Sequence, residues 1–335
     1  GMFVDKGDNL FFSDKGHFRI RKITPDGIIN TIGGNGLRGN VGDNIPALEA
    51  NFYNVTTIVQ NPRGEMFMAS PSGFVSLIRR FDSKGIIHDF IDTATPKYRE
   101  AISKSKYKGL VQKGAVATIT QFSDIVFDPN GNLFTSDRLN HQIRKIDTEG
   151  NVSTIAGTGD SDHYGDNGPA LEAAFRDPNA LASDSEGNIY IADTANNLIR
   201  KIDTNGIVTT FAGNGEHSDS GDGGPALKAS IRSMDDIEFN PAGELHILGT
   251  NTHKVRKITK DGKIMTVAGK GYAGFFGDGG SATKAMLQNP AAISFDSKGN
   301  MYIADMGNNR IRKVDDQGVI TTFAGTGSFG WGRTG

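Results

Sequence analysis

The side chains best suited to chemistry in this chain are acidic. "SMDDIEF" carries Asp235 and Asp236 side by side, and "FSDI" carries Asp124. Carboxylates gathered at one mouth would suit Ca²⁺, which takes roughly six to eight oxygen ligands. An ion held there could polarise an oxygen or activate water. The structural alternative is hydrogen bonding to loop amides, since paired aspartates are common in turns. Histidine is the other metal ligand available, at His17, His141, His163, His217 and His253 among others. A zinc site needs three imidazoles within about 2 Å of one ion. There is no cysteine, which excludes disulfides, thiolate metal sites and a thiol nucleophile. Whether any of these residues meet depends on the elements that hold them.

Those elements repeat. "GDNIPALEANF" begins at Gly42, "GDNGPALEAAF" at Gly165, "GDGGPALKASI" at Gly221 and "GDGGSATKAML" at Gly277. Between them recurs a second unit, best seen in "GNIYIADTANNLIRKID" from Gly187. Its second residue falls at Asn9, Glu65, Asn132, Asn188, Glu244 and Asn300, with spacings of 56, 67, 56, 56 and 56. Each copy reads as four short strands rich in Ile, Val, Thr and aromatics, separated by Gly, Asn and Asp turns. A four-stranded sheet apolar on both faces is not stable alone, whereas stacked radially it buries each face against a neighbour. The expected fold is all-β: a six-bladed β-propeller with four antiparallel strands per blade. The blades are expected near residues 2–52, 53–121, 122–175, 176–231, 232–287 and 288–335, with an insertion at 92–122 in the second.

The "GNIYIADTANNLIRKID" unit, followed by "IVTTFAG", resembles the NHL-repeat propellers, and the glycine-rich linkers ending in "GDGGPA" resemble the bacterial branch of that family. The likeness covers nearly the whole chain. It implies a propeller that serves as a non-catalytic binding scaffold, an RNA binder, or a relative with lyase or lactonase activity. Fold alone does not choose among these.

The glycine-rich linker "GNGEHSDSGDGGPALKAS" (residues 213–230) lacks the lysine of a phosphate loop and the D-x-D-x-D-G of a calcium loop. It reads as the strand d to strand a crossover, with Asp222 accepting turn amides and Leu227 and Ile231 plugging the core. The b–c and d–a connections leave from one face, the top, which is the default binding face. Arg21, Arg79, Arg144, Arg200, Arg256 and Arg312 occupy one strand c position. Four copies also end strand b with aspartate (Asp14, Asp137, Asp193, Asp305), diagonal to the arginine. Copies two and five have Ser70 and Gly249 instead, so Arg79 and Arg256 are the arginines expected to meet a ligand. The insertion adds Lys97, Tyr98, Arg99 and Tyr107 to that expected ligand face. The top-face histidines come from alternate blades, too far apart at that radius to share zinc.

With 36 basic and 38 acidic residues, the chain has no global field that favours nucleic acid. No run of eighteen apolar residues spans a membrane. The expected function is therefore a non-catalytic, monomeric binding propeller whose top face takes a protein, peptide or glycan. The alternative is a metal-assisted hydrolase or lyase on a small ester, lactone or sugar derivative, with Asp124, Asp235 and Asp236 holding Ca²⁺. Gly1-Met2 reads as a cloning remnant, and no strand is shared between the first and last copies. Ring closure is then expected to rest on face packing or on residues outside this stretch. A longer bacterial chain with an upstream domain, outside the cytoplasm, is the expected context.

Overall fold

The computed structural model describes residues 1–72, 75–92 and 122–328. Six antiparallel sheets follow one another along the chain, each a blade. Blade 4 shows the plan: strand a is Pro178–Ser183, b is Ile189–Asp193, c is Leu198–Ile202 and d is Ile207–Ala212. Register is continuous across the b–c hairpin, from Ile189 opposite Ile202 to Asp193 opposite Leu198. Most of the tight a–b and c–d turns use aspartate, with asparagine at Asn61 and Asn240 and threonine at Thr24 and Thr259 in its place. Asp184 Oδ1, for example, accepts the amides of Glu186 and Asn188 at 3.0 and 2.9 Å.

Because both faces of every sheet are apolar, the core is divided among the seams. One buried cluster joins blades 4 and 5 around Tyr190, Ile199, Ile237 and Ile247, and another joins blades 5 and 6 around Leu248, Leu287 and Ile303. The seam between blade 6 and blade 1 is built the same way, from Met2, Leu10, Ile23, Ala292, Tyr302 and Ile311. Asp8 adds a polar tie there, accepting the Ser297 amide and hydroxyl at 2.8 and 2.9 Å. Among the described residues, face packing and this polar tie hold the seam.

The crossovers do more than connect. Three of them leave strand d of one blade at the top, then lay two residues against strand d of the next. Ile45–Pro46, Gly168–Pro169 and Gly280–Ser281 pair outside Ile86–Asp92, Ile207–Ala212 and Val319–Ala324 respectively. A single 3-10 turn follows, such as Ala170–Glu172, with proline as its N-cap rather than its first helical residue. In this turn Ala226 is buried and Leu227 is exposed, so the expected Leu227 plug is an alanine instead, while Ile231 is buried as expected. The small residue is required because the turn packs directly on strand d. Gly213 N donates to the Ala226 carbonyl oxygen at 3.0 Å. Among the described residues no helix is long and apolar enough to cross a membrane.

Candidate functional site

The strand c arginines are structural. Arg200 and Arg312 are fully buried and Arg256 nearly so. In these three the nearest carboxylate belongs to the crossover, whereas in blades 1 and 3 the arginine meets the strand b aspartate as the hairpin register predicts, Arg21 at 3.3 Å from Asp14 and Arg144 at 3.0 Å from Asp137. Arg200 meets Asp166 at 2.7 Å, Arg256 meets Asp222 at 2.7 Å and Arg312 meets Asp278 at 2.7 Å. The same carboxylates reach strand d, Asp166 and Asp278 accepting the Thr210 and Thr322 hydroxyls at 2.6 Å and Asp222 accepting the Thr266 amide at 3.0 Å. Asp222 therefore binds across to the next blade instead of within its own turn. The strand b aspartates also approach, Asp305 to 3.2 Å and Asp193 to 3.7 Å. In these two contacts both partners are fully buried.

This removes Arg79 and Arg256 as ligand-facing groups. Arg79 donates to Asp89 Oδ1 at 2.8 Å and to the carbonyl oxygens of Asn40 and Asn51 at 2.8 and 3.3 Å. Arg256 donates to Asp222 and Asp219 and to the carbonyls of Ser230 and Ser220. Where the strand b aspartate is missing, another carboxylate has taken its place. The remaining ligand-face candidates, Lys97, Tyr98, Arg99 and Tyr107, lie outside the described residues.

The acidic candidates divide in two. Asp124 and Asp236 occupy equivalent strand a positions facing the axial channel, whereas Asp235 points the other way and is exposed. Asp235 accepts the Ser233 hydroxyl and the Thr250 amide at 2.8 and 2.9 Å. In the channel, Asp124 takes the Thr57 hydroxyl from blade 2 and the Leu181 amide from blade 4, both at 2.8 Å. Asp236 takes the Ile293 amide of blade 6 at 2.7 Å. Glu238 accepts the Ser294 hydroxyl at 3.1 Å. Sequence reasoning missed Glu238, although the period-two rule places it on the same strand face as Asp236. Burial pushes Asp236 up to about 7, helped by the charge of Asp124. Burial, then the Asp236 charge, raises Glu238 well above the usual carboxylate range. Among the described residues no three His, Asp or Glu side chains are placed to share a metal. Asp124, Asp235 and Asp236 are thus not brought together as one ligand set.

The histidines serve the loops. His141 and His253 have left-handed backbone, φ 53° and 54°, at the ends of b–c turns. Their Nδ1 atoms accept the amides of Asp177 and Asn289 at 3.2 and 3.3 Å. Alongside its polar groups the top face presents apolar side chains. Leu37, Val41, Tyr164, Tyr272 and Phe276 are exposed on crossovers, and Leu139 and Met306 on b–c turns.

Known proteins carry the same pattern. The model of the Teneurin NHL domain matches residues 158–225 and 271–333. Teneurin-m of Drosophila melanogaster is 28% identical over 69% of this chain and 9% of its own length. Teneurin-1 of Gallus gallus is 26% identical over 96% of this chain and 12% of its own. The chain thus spans about a tenth of those relatives. Among solved structures, an auxiliary nutrient binding protein from Bacteroides thetaiotaomicron superposes with a TM-score of 0.63 at 15% identity, covering 94% of this chain and 66% of that one. Virginiamycin B lyase from Staphylococcus aureus gives 0.53 at 17% identity, covering 96% and 82%. A chain of a nidogen/laminin complex gives 0.55 at 12% identity, covering 92% and 89%. These structural likenesses speak to the fold alone, and they include both binding proteins and an enzyme. Repeat, six closed blades and family match agree: the chain is an NHL-repeat β-propeller.

Proposed function

We propose that the chain is a binding propeller whose top face takes a protein, peptide or glycan partner. One observation carries this reading: the repeated polar groups are spent inside the fold, while large apolar side chains stand exposed on the top-face connections. Exposed apolar surface of this kind marks interaction sites. Tyr272 and Phe276 are the most exposed aromatic side chains on one crossover, with Phe275 between them and Lys270 Nζ 5.7 Å from the Phe276 ring centre. Peptide and glycan arrays probed with the wild type and with Tyr272→Ser/Phe276→Ser test it. Hits lost in the variant support the reading; arrays without a reproducible hit count against it.

The channel favours a second reading, an enzyme acting on a small ester, lactone or sugar derivative. Asp236 and Glu238 are carboxyls raised by burial, as acid–base groups often are. Calcium would have to be completed by groups beyond the carboxylates described above. Metal analysis of protein purified without chelator, then calcium titration followed by melting, separates the two readings. About one equivalent of ion, with a melting rise lost in Asp235→Asn/Asp236→Asn, favours the enzyme.

A further inference from the structure

Blade 5 departs from its neighbours on the top face, and a cavity lies where it does. In blades 4 and 6, strand b ends in a buried aspartate. Asp193 accepts the Arg176 amide at 2.7 Å and the Asn196 carboxamide at 2.9 Å. Asp305 does the same with Gln288 and Asn308, at 2.7 and 2.8 Å. Blade 5 has Gly249 and Thr252 at these places. The Thr252 hydroxyl donates to the Gly249 carbonyl oxygen at 3.2 Å and fills the space where a side chain on residue 249 would begin.

Beside it is an open, mainly polar cavity of about 370 Å³, lined by Ser218, Asp219, Arg232, Asn251, Thr252 and Lys254. Asp219 is already held by Lys254 at 2.9 Å and by Arg256 at 3.0 Å. Arg232 is the charge left over. Its Nε is buried without a hydrogen-bond partner, and its guanidinium forms no ion pair among the described residues. The rest of the side chain is half-buried at the cavity wall, which leaves the outer edge of the guanidinium open to an anion.

We propose that this cavity binds a small, hydroxylated monoanion of the size of an acidic monosaccharide, with its carboxylate on Arg232. The inference rests on the binding reading above and narrows it. A guanidinium presents a planar fork that matches a carboxylate. Lys254 and Asp219 cancel, so the lining carries one uncompensated positive charge, which suits a monoanion better than a phosphate of nearly two charges. Ser218 and Asn251 are exposed at the rim and offer a hydroxyl and a carboxamide to ligand hydroxyls. The volume lies within the roughly 300–1,000 Å³ of small-molecule sites. Tyr272, next in the chain to Gly271 of the cavity wall, is exposed and gives a sugar ring an apolar face.

Calorimetric titration with glucuronate, glucose and inorganic phosphate tests this. Glucuronate binds, and glucose and phosphate bind at least about tenfold more weakly, as expected for loss of a charged hydrogen bond or of charge match. Arg232→Gln weakens glucuronate at least about tenfold. Gly249→Asp/Thr252→Asn restores the arrangement of blades 4 and 6 and also abolishes binding, while its melting temperature stays at or above that of the wild type. Glucuronate binding unchanged in Arg232→Gln, or matched by glucose, overturns the proposal. Phosphate binding more tightly than glucuronate overturns the monoanion assignment. A wild type that gives array hits yet ignores glucuronate overturns this inference alone, and one that ignores both overturns the binding reading with it.

Discussion

Arg200 illustrates how burial decides what an ion pair contributes. Its side chain is 0% exposed, and its partner Asp193 is also 0% exposed. Replacing Arg200 with Met strands Asp193 in the interior and releases Asp166, and breaking such a buried pair typically costs about 3–5 kcal/mol. Arg138, 45% exposed and joined to Asp177, is the control. Its replacement by Met costs about 1 kcal/mol or less, as for other surface pairs. Urea denaturation of both variants reads the difference, and equal losses would refute the assignment. His246 gives a pH signature. It is buried against the Phe295 ring, centroids 4.6 Å apart, and its Nδ1 donates to the Glu244 carbonyl oxygen at 3.1 Å. Burial lowers its pKa to about 4, so folding keeps the ring neutral. The stability it contributes is whole above the unfolded value of about 6.5 and is lost as pH falls toward 4, at about 1.4 kcal/mol per unit. Asp236 acts in the opposite sense, its contribution being lost as pH rises toward 7. The comparison of wild type with His246→Leu isolates the histidine. The stability gap between them should shrink as pH falls from 6.5 to 4, and a constant gap would contradict it.

At the scale of the element, the crossover is where sequence and structure part most instructively. The strands were legible because period-two apolar runs and Asx turns are local signals. That three of the crossovers also supply a fifth strand was not legible, because a two-residue pairing has no periodicity. The crossover aspartate left a trace that went unread. Asp166 and Arg200, Asp222 and Arg256, and Asp278 and Arg312 are each 34 residues apart. Reading arginine against its hairpin neighbour made Arg79 and Arg256 look unpartnered. The cavity beside Arg232 was invisible for another reason: it follows from a missing carboxylate and from how Thr252 turns, which only coordinates reveal. A crossover glycine and a glycine of a c–d turn can be ranked physically. Gly221 and Gly206 both have positive φ, 92° and 77°. A side-chain carbon on Gly221 would stand 2.8 Å from the Ala229 backbone, whereas one on Gly206 meets nothing within 4 Å. Gly206→Ala should therefore cost about 1 kcal/mol, from backbone strain alone, and Gly221→Ala several-fold more by chemical denaturation. Similar costs would mean that the crossover yields, and that its packing on the 3-10 turn is not what fixes the seam.

At the scale of the whole molecule, the ring has one seam unlike the others. Five blade-to-blade joints are crossed by the chain itself, whereas among the described residues blades 6 and 1 meet by side-chain contacts, around Tyr302, Met2 and Leu10, with Asp8 bridging to Ser297. Tyr302 packs edge-on against Phe323, centroids 5.0 Å apart, as Tyr190 packs against Phe211 and Phe239 at 4.9 Å in the seam of blades 4 and 5. Truncating either aromatic to alanine leaves a cavity that costs about 3–5 kcal/mol. The consequences should nonetheless differ. Opening the seam of blades 4 and 5 requires a tethered pair to separate, so Tyr190→Ala lowers protection throughout the ring. Opening the seam of blades 6 and 1 frees blade 1 as a sub-global unit, the kind of local unfolding that hydrogen exchange resolves. In Tyr302→Ala, amides of residues 2–33 should exchange at least about tenfold faster relative to those of 178–212 than they do in Tyr190→Ala, a tenfold ratio corresponding to 1.4 kcal/mol. If the two variants lose protection uniformly, the packed seam holds as firmly as the tethered ones, and the ring behaves as a single cooperative unit.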